Sequence, residues 1–212
     1  DQGQPVEIIA DSRTWTPGED GVGSYGQGIA AVPWRPDRGL ARTERRLTDL
    51  ETGEGFRTNI GFANLSETTA ATIAVDILDA AGEPAGTRWI TLAPSSWKQL
   101  NDLLGRMGLE GSGFAAIVRL ADWQDLTPGV PDATIVPPDI IAYASKVDRH
   151  TNDPTFLESR TQTSQWALAR HRVVPVVAHV EGANNSSWRT DLTAHYASDV
   201  LVSAVFAVAT AR

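Results

Sequence analysis

The sequence predicts an all-β fold: an immunoglobulin-like β-sandwich, one complete module plus a partial module split between the two chain ends. Three observations carry this. Apolar residues alternate in short runs, as at Ile73, Val75 and Ile77, which is the period of a strand with one buried face. The 18 glycines and 12 prolines fall between those runs, and such punctuation favours short strands over long helices. Finally, parts of the chain repeat at one constant offset, the one that carries Phe56 onto Trp188. A repeat of this kind governs how everything else is read.

The complete module is expected over residues 28–157. It opens with "GIAAVPW", followed by a polar, arginine-rich connection over residues 35–55. The strand "FRTNIGFANLS" comes next, then "ATIAVDILDA", which turns at "AGEPAG". "TRWITLAP" and "WKQLNDLL" follow, the second read as a strand or short helix. "GFAAIVRLA" leads into a proline-rich loop over residues 128–138, and "IIAYASKVD" closes the set. Roughly six or seven strands at this spacing, with turns between them, suit a sandwich of two sheets.

At the constant offset, Arg57, Thr58, Asn59 and Ile60 fall on Arg189, Thr190, Asp191 and Leu192. In the other direction Ile140, Ile141 and Ala142 fall on Ile8, Ile9 and Ala10. The head of a second module therefore sits at residues 172–212 and its tail at residues 1–27, with residues 158–171 as a linker. Glycine-rich residues 18–28 read as a flexible connection between tail and complete module. They are no phosphate loop, because no Lys-Ser/Thr pair follows them.

Composition excludes several function classes. The net charge of -8 disfavours nucleic acid, whose phosphates call for an excess of lysine and arginine. With no cysteine there is neither a disulfide framework nor a cysteine-based zinc site. No apolar run approaches the ~20 residues that span a bilayer. The chain opens on Asp1, which suggests a removed signal peptide or a fragment. Sequons occur at Asn64, Asn184 and Asn185.

Candidate chemistry is sparse. His171, His179 and His195, with Glu181 and Asp191, lack the helical spacing of a zinc-binding pair, and His150 stands apart. No G-x-S-x-G occurs, and Gly111-Ser-Gly113 reads as a hairpin turn. Asp148, Asn152 and Asp153 offer oxygen donors suited to calcium, although the same residue types dominate plain turns. Arg57 and Arg189 read as repeated structural residues. Seven tryptophans are expected mostly in the core or an interface, with sugar stacking as the alternative. No catalytic residue, resident metal or cofactor is expected.

The segments "FRTNIGFANLSETTAATIAVDILDAAGEPAGTRWITLAP", "IIAYASKVDRHTNDPTFL", "VVPVVAHVEGANNSSWRTDL" and "DSRTWTPGEDGVGSYGQGI" resemble poorly characterised β-sandwich repeat modules of long secreted or surface bacterial proteins. The resemblance covers most of the chain and rests on its R-T-[ND]-[IL] and T-x-D-P turns. It implies an extracellular or cell-surface location and a binding or structural role, with no catalytic residues to carry over. In tandem arrays of such repeats "SRTW…GSYGQ" follows "WRTDL"; here the order around the complete module is reversed.

That order leads to the functional expectation. An unpaired strand leaves its backbone groups and apolar side chains open to water. The expected function is a filament or surface-fibre subunit, assembled head to tail by strand complementation between chains. The incoming strand is expected at Val6, Ile8, Ile9 and Ala10, and the accepting surface at Val202, Val205, Phe206 and Val208. The rival arrangements are pairing of the two ends within one chain, and a fragment whose missing part covers the strand. The alternative function is a carbohydrate-binding or adhesive module of a larger secreted protein. Partners are therefore further copies of the chain or a carbohydrate; nucleic acid and a membrane span are not expected.

Overall fold

The alternation at Ile73, Val75 and Ile77 is a strand in the structure, with those three side chains buried at the centre of a core. The computed structural model describes residues 10–17, 23–31, 44–128, 137–161, 179–181 and 187–189. The strands run β1 Asp11–Pro17, β2 Ser24–Ala30, β3 Arg45–Thr52, β4 Phe56–Asn64, β5 Thr69–Leu78, β6 Pro84–Leu92 and β7 Ser96–Leu100. After the short helix α1 Leu103–Arg106 come β8 Gly111–Asp125, β9 Ile140–Asp148, β10 Pro154–Glu158 and β11 Arg160–Thr161. β12 His179–Glu181 and β13 Ser187–Arg189 form a separate pair.

The fold is an all-β sandwich. A four-stranded sheet, ordered β10-β9-β4-β7, packs on a five-stranded sheet, ordered β11-β3-β8-β5-β6. Every pairing is antiparallel. The inner faces meet through Ile60, Phe62, Ala142 and Ala144 on one side and Leu47, Leu50, Ile73, Val75, Ile77 and Val118 on the other. Each large apolar side chain buried there is worth ~1.5–3 kcal/mol. Leu103 and Leu104 of α1 join the same core.

Two polar residues inside the sandwich hold its turns. Asn64 is buried and donates from Nδ2 to the carbonyls of Thr69 (2.8 Å) and Ala93 (3.0 Å), while its Oδ1 accepts the Ser66 N–H (3.1 Å). It thus ties the β4–β5 turn to the β6–β7 turn. A sequon asparagine committed in this way has no amide open to a glycan. Thr58 is also buried; its hydroxyl donates to the Glu51 carbonyl (2.7 Å) and accepts the Glu51 N–H (3.0 Å), joining the two sheets across the turn at Gly53.

The structure departs from the sequence reading at four places. The polar connection over residues 35–55 contains β3, with Leu47 and Leu50 in the core. Asp49 has φ 62°, and the pairing with β8 shifts between Leu47 and Leu50. This bulge turns two leucines three apart to the same side, so period two is broken and the strand is hidden. "WKQLNDLL" divides into β7 and α1, with Asp102 in the left-handed region between them. Gly111 and Gly113 open β8 and do not form a turn. Residues 24–28, expected in a flexible connection, belong to β2, and the expected boundaries at 27/28 and 157/158 fall inside β2 and β10.

Candidate functional site

The R-T-N-I stretch of β4 shows what its residue types do. Thr58 makes the double bond to Glu51 described above. Asn59 accepts the Asp102 N–H through Oδ1 (3.0 Å), and Ile60 is fully buried in the core. Arg57 lies in β4 opposite Val147 of β9. Because Asn59 works here through an oxygen, an aspartate oxygen can accept the same bond. Arg189, Thr190, Asp191 and Leu192 therefore carry a complete chemical copy of the β4 motif.

The N-terminal hairpin has the antiparallel form of β9 and β10, although at the constant offset residues 11–16 match none of residues 143–148 in type. β1 pairs with β2 from Asp11↔Ala30 to Pro17↔Ser24, as β9 pairs with β10 from Tyr143↔Glu158 to Val147↔Pro154. At the constant offset Trp15 is the counterpart of Val147. Trp15 pairs with Gly26 and Val147 with Pro154, so the N-terminal turn is the longer one. Yet β9 is an interior strand, flanked by β10 and β4, whereas β2 is the partner of β1 among the described residues. All seven residues of β1 are exposed. The hairpin rests on the sandwich through β2, where the Ser145 hydroxyl donates to Gln27 Oε1 (3.1 Å).

Beside that contact lies a cavity of about 290 Å³, lined by Ile29, Arg45, Ile141, Tyr143, Phe156 and Glu158 among others. Burial pulls the Arg45 guanidinium below the usual arginine range, opposed by the charges of Asp139 and Glu158. Its Nε is buried with no hydrogen-bond partner among the described residues.

The outer face of the four-stranded sheet carries an ordered aromatic group. Tyr143 and Phe156 stack with ring centroids 5.8 Å apart. The Trp97 indole N–H donates to the Tyr143 hydroxyl (3.0 Å), which donates to Gln99 Oε1 (3.1 Å), and Gln99 Nε2 donates to Asn101 Oδ1 (2.8 Å). The tyrosine ring lies across β4 in the space a Cβ at position 61 would occupy, so Gly61 is required there. Trp97 is held in place and still 61% exposed.

The other described tryptophan side chains also lie outside the core. Trp15 (59%), Trp89 (63%) and Trp123 (39%) are exposed, so the core of this sandwich is aliphatic with phenylalanine. On the outer face of the five-stranded sheet Asp76 joins Arg119 (2.7 Å) and accepts the Thr87 hydroxyl (2.7 Å). The hydrogen bond from Arg119 is the largest cause holding the Asp76 carboxyl below its usual range.

In the Asp148 loop, Asp148 Oδ1 accepts the N–H groups of His150 (2.7 Å) and Thr151 (3.0 Å). These bonds hold its carboxyl below the usual range. Asn152, at φ 59°, donates its N–H to the Asp148 carbonyl (2.9 Å), and Asp148 donates its own to the Asp153 carbonyl (3.1 Å). The T-x-D-P residues thus close a turn on themselves, and one oxygen of the calcium candidate is already occupied. Among the described residues no group of three or more His, Asp or Glu gathers as a metal site. None of the described helices is long and apolar enough to cross a membrane.

Several sequence candidates lie outside the described residues: Val6, Ile8, Ile9, His171, Asp191, His195, Val202, Val205, Phe206 and Val208. Ala10 is described and exposed, and its carbonyl accepts the Ala31 N–H (3.0 Å). His179 and Glu181 lie in β12, where His179 pairs with Arg189. Sequence reasoning missed the Trp97–Tyr143–Gln99 chain. The signal available for it was Gly61, a glycine inside a strand, which marks close approach by another group.

No family model matches the chain, and no curated protein matches it. A solved structure with a likeness to it is the crystal structure of Thermotoga maritima 1070, which is 15% identical and aligns with 56% of this chain and 90% of that one, at a TM-score of 0.38. A likeness that distant does not bear on function.

Proposed function

We propose that the chain is a non-enzymatic structural subunit of an extracellular filament or surface fibre, joined head to tail by strand pairing between chains. The observation that supports this most is the edge of β1. This strand falls on the interior strand β9 at the constant offset, yet all seven residues are exposed and one edge has no partner strand among the described residues. A two-stranded hairpin is marginal in water, and a third strand supplies both backbone bonds and burial. An extended, open edge of this kind is a template for strand addition. The extracellular setting follows from the resemblance to secreted repeat modules.

The test is assembly of the purified full chain, followed by electron microscopy and sedimentation. The intact chain is expected to form ordered polymers. Ser12→Lys with Thr14→Lys, which places charge on the open strand, is expected to leave monomers with a normal thermal transition. An intact chain that stays monomeric at high concentration, or a variant that polymerises unchanged, contradicts the reading.

A second reading, a carbohydrate-binding or adhesive module, is favoured by the Trp97 group. An indole fixed by its own N–H bond and left open on a sheet face suits stacking against a sugar ring, with the Gln99 and Asn101 amides beside it. Glycan-array binding that Trp97→Ala abolishes would support it; equal binding by both proteins removes it.

A further inference from the structure

We infer that the open edge of β1 is completed by residues 188–196 of a second copy of the chain, in the register that β4 adopts on β9. The inference rests on the assembly reading above and names the strand that does the joining. β9 is bordered by β10 and β4, and β10 already has its counterpart in β2. Among the described residues no counterpart of β4 lies beside β1, and the chain carries one further copy of the β4 motif, at Arg189, Thr190, Asp191 and Leu192. Val202, Val205, Phe206 and Val208 correspond instead to the β5 region, and β5 pairs with β6 and β8, never with β9. The accepting strand is therefore the R-T-D-L segment.

The complete module also fixes the register. Arg57↔Val147, Thr58↔Lys146, Asn59↔Ser145 and Ile60↔Ala144 become Arg189↔Trp15, Thr190↔Thr14, Asp191↔Arg13 and Leu192↔Ser12. The side chains brought together are complementary. Asp191 meets Arg13 directly across the pair, and Arg189 meets Trp15, a cation beside an exposed indole. Neither contact is inherited from the complete module, where Ser145 and Val147 stand at the positions of Arg13 and Trp15. A one-residue slip would set Arg13 against a neutral neighbour and turn the Leu192 side of the strand outward.

Cysteine cross-linking tests this in a chain that has no cysteine of its own. Three double variants of the full chain are oxidised: Arg13→Cys with Asp191→Cys, Ser12→Cys with Leu192→Cys, and Arg13→Cys with Val205→Cys. Adjacent antiparallel pairs alternate between narrow and wide spacing, so at least one of the first two is expected to link, and the third is not. Links between chains, seen as a ladder on a non-reducing gel, support register and assembly together. Links confined to single chains, seen as thiol loss at monomer mass, keep the register and overturn assembly between copies. No link in the first two, or a link in the third, overturns the register. Charge exchange gives a test that leaves the sandwich untouched. Arg13→Glu is expected to weaken association about two- to five-fold, and Arg13→Glu with Asp191→Arg to restore it; a double variant no better than the single one counts against the pair.

Discussion

The two antiparallel hairpins β1–β2 and β9–β10 have opposite surroundings. In β9, Ala142, Ala144 and Ser145 are buried and β4 lies alongside. In β1 the corresponding stretch is exposed throughout. Local sequence makes both hairpins; burial comes only from the third strand and the sheet packed beneath it. The difference teaches that a strand's environment in this protein is set by which neighbour it has, and the assembly proposal supplies the N-terminal hairpin with one.

Substitutions sharpen that contrast in order of effect. Phe62→Ala, in the centre of β4, is expected to cost about 3–5 kcal/mol in denaturant unfolding because it opens a cavity in the core. Asn64→Ala strands two carbonyls and an N–H and is expected to cost about 2–3 kcal/mol by the same measurement. Gly61→Ala drives a Cβ into the Tyr143 ring, with an expected loss of about 1–3 kcal/mol. Adding Tyr143→Ala should recover part of it, and strictly additive losses would show that the ring is not what demands glycine.

Asp76→Asn removes a partly exposed ion pair and is expected to cost at most about 1 kcal/mol. In the folded state the Asp76 carboxyl is held below the ~3.9 of a free aspartate, chiefly by the hydrogen bond from Arg119. Its contribution is full above that value and is lost as pH falls through the folded one. The variant should therefore narrow the stability gap between pH 6 and pH 3, as read by thermal unfolding. Smallest of all, Trp15→Ala is expected to leave unfolding within about 0.5 kcal/mol, while weakening association of chains in sedimentation. A large loss of folding stability there would mean that β1 is already packed.

Much of the sandwich was legible because its strands alternate plainly: β5 and β9 were read nearly to their ends. β3 was not, since the bulge at Asp49 put Leu47 and Leu50 out of phase among arginines and acids. Asp49 serves the fold by meeting Lys146 of the opposite sheet (2.7 Å), a contact between distant strands that no local pattern announces. Whether each tryptophan faces the core or an outer surface stayed open for a related reason. Size and apolarity suggest the core, but Trp89, Trp97 and Trp123 fall on outward-facing or edge positions whose facing depends on pairing. The R-T-[ND]-[IL] motif was visible as a repeat, and its meaning was not. Only the bonds of Thr58 and Asn59 explain why threonine recurs and why asparagine and aspartate interchange.

The central proposal is that β1 gains a further neighbour from another chain. Amide hydrogen exchange of β1, compared between dilute and concentrated full-length protein, tests it most directly. The account predicts fast exchange at β1 in dilute solution and protection approaching that of β9 on concentration, with β9 itself slow throughout. Protection of β1 that is already complete in dilute monomer, or exchange that stays fast in every assembled form, contradicts it.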